Sequence, residues 1–349
     1  MIKVLVVDDS AFMRSAISRM LEKDPEIKVI GTAKNGKEAI ERVEELKPDV
    51  ITLDIEMPVM NGLEALKNIM AKHRLPVIMF SALTKEGAEI TMEALHIGAS
   101  DFITKDFSNV SLSISTRENE LINKVKSVAK NKVMMLLKRL EQTRKTAAID
   151  FNNVNYNSGN HTRYKILAIG ASTGGPPALQ HIITRFPKDF PVPIIIAQHM
   201  PKLFTQSFAQ RLNAASQIEV KEAENGEMLR PGTALVAPGD THMGIKRRGN
   251  DVVVELVNDT KYVFRPSVDL LMSSTANVYG SHSFGIILTG MGNDGLVGIK
   301  EIKSKNGYVV AQDEDTCVVY GMPKAVVNAN LADVVLPIDK IFDEIIKNL

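Results

Sequence analysis

Short apolar runs alternate with stretches of helical period from the first residues onward. IKVLVVDD precedes a 3.6-period segment around Phe12, Ile17 and Leu21, and KVIGTA, DVITLD, PVIMFSA and DFITK follow, each separated from the next by a helix-like segment. Such a rhythm predicts βα units around a parallel sheet. Near Ser108 it gives way to a long polar-apolar helix candidate over roughly 113–145, then to DFNNVNYNSGNHTRY, rich in Asn and aperiodic, which reads as a linker. A second βα series follows: YKILAIGAS, PIIIAQHM, TALVAPGD, FGIILTGMGND, YVVAQDED and VVLP, most ends marked by Gly or Pro. The two halves share this rhythm but no convincing repeat. At their strand ends the first offers carboxylates, the second Ser, His and Gly.

Two domains also suit the length of 349 residues. The formal net charge of +1 argues against an electrostatic nucleic-acid binder, and the regional charges are −4 over 1–108, +6 over 109–145 and −1 over 146–349. The basic excess is thus confined to the helix candidate, read as a solvated helix joining the domains. The single cysteine, Cys317, excludes an intramolecular disulfide framework and fits a reducing compartment. Its surroundings carry no signal of reactivity, so it is expected in the core. MIKVLVVDDS is too short and too acidic for a signal peptide, and no long apolar run follows, so a soluble cytoplasmic protein without membrane insertion is expected.

In an open parallel sheet the loops at the carboxyl ends of the strands share one crevice, so Asp8, Asp9 and Asp54 should converge. Three carboxylates together call for a cation, and an all-oxygen set suits Mg²⁺. Ser81 and Lys105 end two further strands and offer a hydroxyl and an ammonium to phosphoryl oxygens. The bland alternative is that strand-end aspartates cap the helices that follow. VVDDS, LDIEMPVMNG, FSA and Lys105 resemble response-regulator receiver domains over about residues 1–120. The resemblance implies Asp54 as phosphoacceptor, Asp8, Asp9, Asp54 and the Glu56 carbonyl as Mg²⁺ ligands, and Ser81, Phe102 and Lys105 as the phosphorylation switch. One departure is Asp106, where that family usually has proline.

GASTGGPP follows an apolar strand and precedes a helix expected from Ala178. Gly170 to Gly174 fits G-x-S-x-G, the turn that exposes a nucleophilic serine, and also loosely fits a dinucleotide loop. A third possibility is that Ser172 only caps a helix. A dinucleotide site wants an acidic residue at the end of the next strand, yet PIIIAQHM ends in Gln198 and His199. His199 would supply a general base, and Asp294, directly after FGIILTG, an acid to orient it. The order Ser172, His199, Asp294 differs from the α/β-hydrolase order of Ser, acid, His. His242 and His282 are expected to be structural.

GASTGGP, QHMP, APGD, PSVD, LTGMGNDG and YGMP together resemble the catalytic domain of the chemotaxis protein-glutamate methylesterase (CheB) family, and with the receiver in front the likeness covers nearly the whole chain. It implies a nucleophile at Ser172, a base at His199, an orienting acid at Asp294, and Thr173, Met291 and Gly292 as weaker candidates for positioning or oxyanion binding. Fold and boundaries follow: a doubly wound, flavodoxin-like receiver domain over 1–118, a helical extension and linker over 119–160, and an α/β parallel-sheet methylesterase domain over 161–349. The implied partners are methyl-accepting chemotaxis receptors as substrate and a chemotaxis histidine kinase as phosphodonor. The expected activity is demethylation of receptor glutamyl esters, with deamidation of glutamines beside it. Mg²⁺ is expected at the receiver and no cofactor for ester hydrolysis. A receiver-linked dinucleotide-binding regulator and a receiver-linked transcription factor are the alternatives. The first would be indifferent to loss of Ser172, and the second would add a basic or compact helical module.

Overall fold

The run IKVLVV forms β1 (Ile2–Val7), an inner strand of a first sheet, and four further repeats follow it in a computed structural model that describes residues 1–105, 113–130 and 163–349. These repeats comprise α1 (Ala11–Leu21), β2 (Ile27–Ala33), α2 (Gly36–Leu46), β3 (Val50–Asp54), α3 (Gly62–Lys72), β4 (Val77–Ser81), α4 (Lys85–Ile97) and β5 (Asp101–Thr104). All pairings are parallel, in the order β2-β1-β3-β4-β5. Every residue of β3 and β4 is buried, because helices cover both faces. Each of the first four helices starts on a polar cap. Ser10, Asn35, Asn61 and Thr84 accept hydrogen bonds from the amides of Met13, Glu38, Glu64 and Gly87, satisfying donors that a helix N-terminus leaves orphaned.

The helix α5 (Ser113–Lys130) belongs to the same unit and runs past the boundary expected at 118. Leu121, Val125 and Val128 are buried at i, i+4 and i+7, and the helix lies along α1, so an apolar stripe fixes it there. The remainder of the helix candidate, most of the linker and Asp106 lie outside the described residues.

The second unit is wound about β6 (Ile166–Ala171). Its further elements are α6 (Gly175–Ile183), β7 (Ile194–Gln198), α7 (Lys202–Ala215), β8 (Glu219–Glu222), β9 (Thr233–Val236), β10 (His242–Arg248), β11 (Asp251–Val257), α8 (Val268–Tyr279), β12 (Ser283–Ile287), α9 (Leu296–Ser304), β13 (Tyr308–Gln312), α10 (Met322–Asn328), β14 (Val334–Leu336) and α11 (Ile338–Asn348). Seven strands form a parallel sheet in the order β14-β13-β12-β6-β7-β9-β8. The chain leaves β6 in one direction through β7 and returns to its other side at β12, so β6 and β12 flank the switch point, where ligands bind in open α/β sheets.

Two differences from the sequence expectations have local causes. α6 begins at Gly175 instead of Ala178, since Pro176 and Pro177 fall in its first turn, where no amide donor is required. β10 and β11 form an antiparallel hairpin that the βα rhythm concealed, and His242 opens β10. Among the described residues no helix is long and apolar enough to cross a membrane.

α8 and α9 pack side by side, and the start of each is capped by an aspartate from the start of the other. Asp294, just before α9, accepts from the amides of Val268 at 2.8 Å and Asp269 at 3.0 Å at the start of α8. Asp269 in turn accepts from Gly295 at 2.9 Å and Gly298 at 3.0 Å at the start of α9. Asp269→Ala should therefore lower the stability of this unit by about 1 kcal/mol, the usual worth of a cap, read as a fall in the urea midpoint at constant m-value. An unchanged midpoint would show that Asp269 carries no capping energy.

Candidate functional site

Strand-end loops of the first sheet bring together Asp8 after β1 and Asp54 at the end of β3, with Asp9 beside them. One oxygen from each lies within 4.8 Å of the others. Asp8 is 0% and Asp54 2% exposed, whereas Asp9 is open to solvent. Lys105, just past β5, places Nζ 2.6 Å from Asp54 Oδ2 and 3.0 Å from Asp8 Oδ2. Burial lifts the Asp54 carboxyl from an ordinary value of 3.8 to about 6, outweighing the lowering by Lys105, and the Asp8 charge adds to the rise. Burial likewise works against the Lys105 ammonium, but its bonds to Asp54 and Asp8 win and hold it above the usual lysine value.

Three carboxylates against one ammonium leave formal charge for a divalent cation to neutralise, and the donors are hard oxygens, so the cluster fits Mg²⁺. Glu56 follows Asp54 by two residues, and its amide reaches Asp54 Oδ1 at 3.4 Å. The Ser81 hydroxyl is buried and donates to the Gly87 carbonyl of α4 at 3.1 Å. Phe102 is buried in β5. Its carbonyl accepts from Lys124 of α5, which also pairs with Asp101 at 3.0 Å.

In the second sheet, Ala171 and Gln198 are paired across β6 and β7, and the His199 amide donates to the Ala171 carbonyl. Ser172 and His199 are thus neighbours, each one residue beyond the paired strand ends. Gln198 locks the turn by donating from Nε2 to the carbonyls of Ser172 at 2.9 Å and His199 at 3.3 Å. The switch point brings in the third residue: His199 Nε2 lies 2.8 Å from Asp294 Oδ2.

Asp294, 8% exposed, takes four donors: His199, the Ser267 hydroxyl at 3.2 Å, and the amides of Val268 and Asp269. Burial raises its pKa, but the His199 hydrogen bond and charge together with the two amides win and hold it below the ordinary 3.8. An ionised carboxylate only accepts, so Nε2 carries a proton, and in the neutral ring the lone pair is then on Nδ1. Nδ1 is buried and has no hydrogen-bond partner among the described residues.

Two glycines make the loops fit. Gly174 has φ +76°, and a Cβ there would also strike Val318. A Cβ on Gly290 would lie 2.8 Å from Ser172 Cβ, so the TGMGNDG loop rests directly on the serine. Thr289 ties the two segments together by donating from Oγ1 to the Thr173 carbonyl at 2.9 Å. Thr173 is buried, Met291 half-buried and Gly292 exposed in the same loop pair. Cys317 is buried, and burial pushes its thiol far above the ordinary value. His242 is buried and bonded on both ring nitrogens, and His282 bonds the Arg163 carbonyl, so neither joins the cluster. Sequence reasoning assigned no role to Gln198, Ser267, Phe264 or Thr289, although PSVD carries the Ser and Asp of a helix start.

Together these features define a class: a receiver-like α/β unit with an acidic cluster fit for a cation, linked to a parallel α/β unit with Ser, His and Asp gathered at its switch point. Known proteins show the same pairing. Residues 4–117 match the response regulator receiver domain and residues 167–345 the CheB methylesterase. A protein-glutamate methylesterase/protein-glutamine glutaminase 1 of Oleidesulfovibrio alaskensis is 48% identical over 358 aligned positions, covering 97% of each chain. A protein-glutamate methylesterase/protein-glutamine glutaminase of Thermotoga maritima is 47% identical over 99% of this chain and 98% of its own. The crystal structure of the Thermotoga maritima CheB methylesterase catalytic domain is 46% identical, with a TM-score of 0.52, covering 53% of this chain and 99% of that one. The chain belongs to the CheB methylesterase family and carries a response-regulator receiver domain in front of its catalytic domain.

The raised Asp54 value fixes the sign of a pH effect. Folded protein holds this proton where the unfolded chain has released it, so stability is lost as pH rises from about 4 to about 6. Asp54→Asn removes that loss. Its advantage over wild type in denaturation midpoint should be small at the acid end of this range, grow across it and then level off, and Mg²⁺ should shrink it at neutral pH. A difference constant across the range would contradict the burial of Asp54 as its cause.

Proposed function

We propose that the chain is a phosphorylation-regulated serine hydrolase that demethylates glutamyl methyl esters of chemoreceptors and deamidates receptor glutamines. The observation that carries this is the His199–Asp294 pair at 2.8 Å with an unpartnered Nδ1, on a turn whose backbone adjoins that of Ser172, at the switch point of a sheet whose family is named for that activity. A receiver-linked dinucleotide regulator is not supported, since β7 ends at Gln198 with His199 next in the chain and the family match is to a methylesterase.

The His199–Asp294 bond supports a proton path through Nδ1. Ser172 Oγ swings onto His199 Nδ1, gives up its proton and attacks the ester carbonyl carbon. Imidazolium forms while Asp294 holds Nε2–H and stays ionised, as its four donors favour. The tetrahedral intermediate's oxyanion needs donors, for which the backbone of Thr173, Met291 and Gly292 is proposed. Collapse breaks the bond to methoxide, which takes the Nδ1 proton and leaves as methanol. Water then loses a proton to Nδ1, attacks the acyl-serine and frees the glutamate, restoring Ser172. An amide follows the same path with ammonia leaving.

At the receiver, an Asp54 carboxylate oxygen attacks the phosphorus of a kinase phosphohistidine, and the P–N bond breaks. Asp8, Asp9, Asp54 and the Glu56 carbonyl would hold Mg²⁺, which when bound neutralises phosphoryl charge. Lys105 stands ready to pair with the acyl phosphate, and Ser81 and Phe102 to respond to it. The division proposed is a receiver over 1–118, a helical extension and linker over 119–160 that α5 enters from the receiver, and the catalytic domain over 161–349, at work in the cytoplasm.

Ser172→Ala, His199→Ala and Asp294→Asn should each lower kcat on methylated receptor by orders of magnitude, with non-additive double variants, because the three act as a unit. Near wild-type turnover by folded Ser172→Ala would eliminate the serine mechanism.

With Mg²⁺ and a phosphohistidine donor, wild-type protein should gain an acid-stable, base-labile phosphoryl group and a higher rate of receptor demethylation. Asp54→Asn should show neither effect. A tenfold activation corresponds to only about 1.4 kcal/mol of shift between states. Stoichiometric labelling of the Asp54→Asn variant would move the acceptor elsewhere.

A further inference from the structure

The segment 259–267 crosses from β11 to α8 as a strap that is fastened at both ends by one buried side chain. His242 Nε2 donates to the Asp259 carbonyl at 3.0 Å, and His242 Nδ1 accepts from the Ser267 amide at 3.2 Å. Tyr262 packs its ring against His242, with centroids 5.3 Å apart, and Lys261 closes the strap onto Asp259 at 3.1 Å. Beside the fully exposed Val263, 90% accessible, the next residue turns inward. Phe264 lies flat on the imidazole of His199, centroids 4.6 Å apart and planes within 7°, and its ring edge reaches the Gly292 turn.

We propose that Phe264 is a positioning residue for His199, setting the tilt of the imidazole so that Nδ1 faces Ser172. The proposal rests on the hydrolase function above and deepens it. The Asp294 bond holds the ring at Nε2, nearly opposite the point where the ring joins Cβ. A tether at that place leaves rotation about the Cβ–ring bond poorly fixed, and the terminal torsion of histidine has no narrow preference of its own. Nδ1 lies off this axis, so its direction is the quantity that rotation changes. A flat aromatic face supplies the missing restraint, and the strap fastened by His242 supplies the rigidity behind it. Ser267 ends the same strap and donates to Asp294, so one segment fixes both the acid and the plane of the base.

Full-length Phe264→Ala, Phe264→Leu and Phe264→Tyr should be compared with wild type for kcat and KM on methylated receptor, with thermal midpoints checked. Phe264→Ala should lose about tenfold to a hundredfold in kcat at unchanged KM, Phe264→Leu should fall between, and Phe264→Tyr, which keeps the ring, should stay within about twofold. NMR of histidine-labelled protein gives a readout independent of activity. The His199 ring protons should be shielded by the aromatic ring in wild type and Phe264→Tyr, and should move downfield in Phe264→Leu. If Phe264→Ala does not fold, the Leu and Tyr variants decide. Equal loss in both, or wild-type kcat in folded Phe264→Leu or Phe264→Ala, would overturn the proposal. Wild-type protein inactive on methyl ester would instead overturn the hydrolase function, while the ring-proton shifts would still report whether Phe264 holds the imidazole.

Discussion

The second unit depends on where one carboxylate is put. Asp294 is removed from water, which by itself would push it toward its neutral form, and the cost is offset by four donors converging on two oxygens. Two of those donors are amides that the start of α8 would otherwise leave orphaned, so the helix gains a cap while the carboxylate gains a site where negative charge is favoured. Asp269 does the same for α9, and the two helices thereby fix each other's starts. Once Asp294 is ionised and immobile, Nε2 of His199 has to donate to it, and in a neutral ring Nδ1 is then the nitrogen open to the role proposed for it.

The receiver solves the opposite electrostatic problem on a related scaffold. Both units place their chemistry beyond the carboxyl ends of parallel strands, where loops from distant sequence positions meet. In the first, burial outweighs what Lys105 supplies, the Asp8 charge adds to it, and Asp54 is left holding a proton more tightly than an ordinary aspartate. Such a site suits a cation, and the modification proposed for Asp54 would change its charge. In the second, a single carboxylate is oversupplied with donors and held below its ordinary value. The first cluster is built to change state, whereas the second is built to stay in one.

Much of this was legible in the sequence because parallel sheets are written in continuous apolar runs, and the residue just past each run is the one that reaches the crevice. Asp8, Asp54, Lys105, Ser172 and His199 all stand at or just beyond a strand end, so strand periodicity brings them into two groups, and Asp294 joins the second from the loop between β12 and α9. What stayed hidden does not follow that rule. The hairpin β10–β11 interrupts the βα alternation, and it delivers His242, the buried anchor of the strap. Phe264 sits in a connection without period, where an aromatic residue gives no hint of the ring it covers. Gln198 was visible as a strand end, but that it donates to two successive turns depends on a side-chain direction that spacing does not encode.

The placement of these hidden residues shows a division of labour. Groups that exchange protons or bonds are supplied by short turns directly attached to strands, which fixes their backbones but leaves their terminal torsions soft. The restraint proposed for the His199 ring comes from a longer connection, the strap between β11 and α8. Being attached at Asp259 and Ser267 to a residue with no exposure, that strap can carry an exposed valine and a stacked phenylalanine side by side without losing its course. Precision at the base is therefore set by the hairpin and strap added beside the sheet, and the sheet itself supplies proximity.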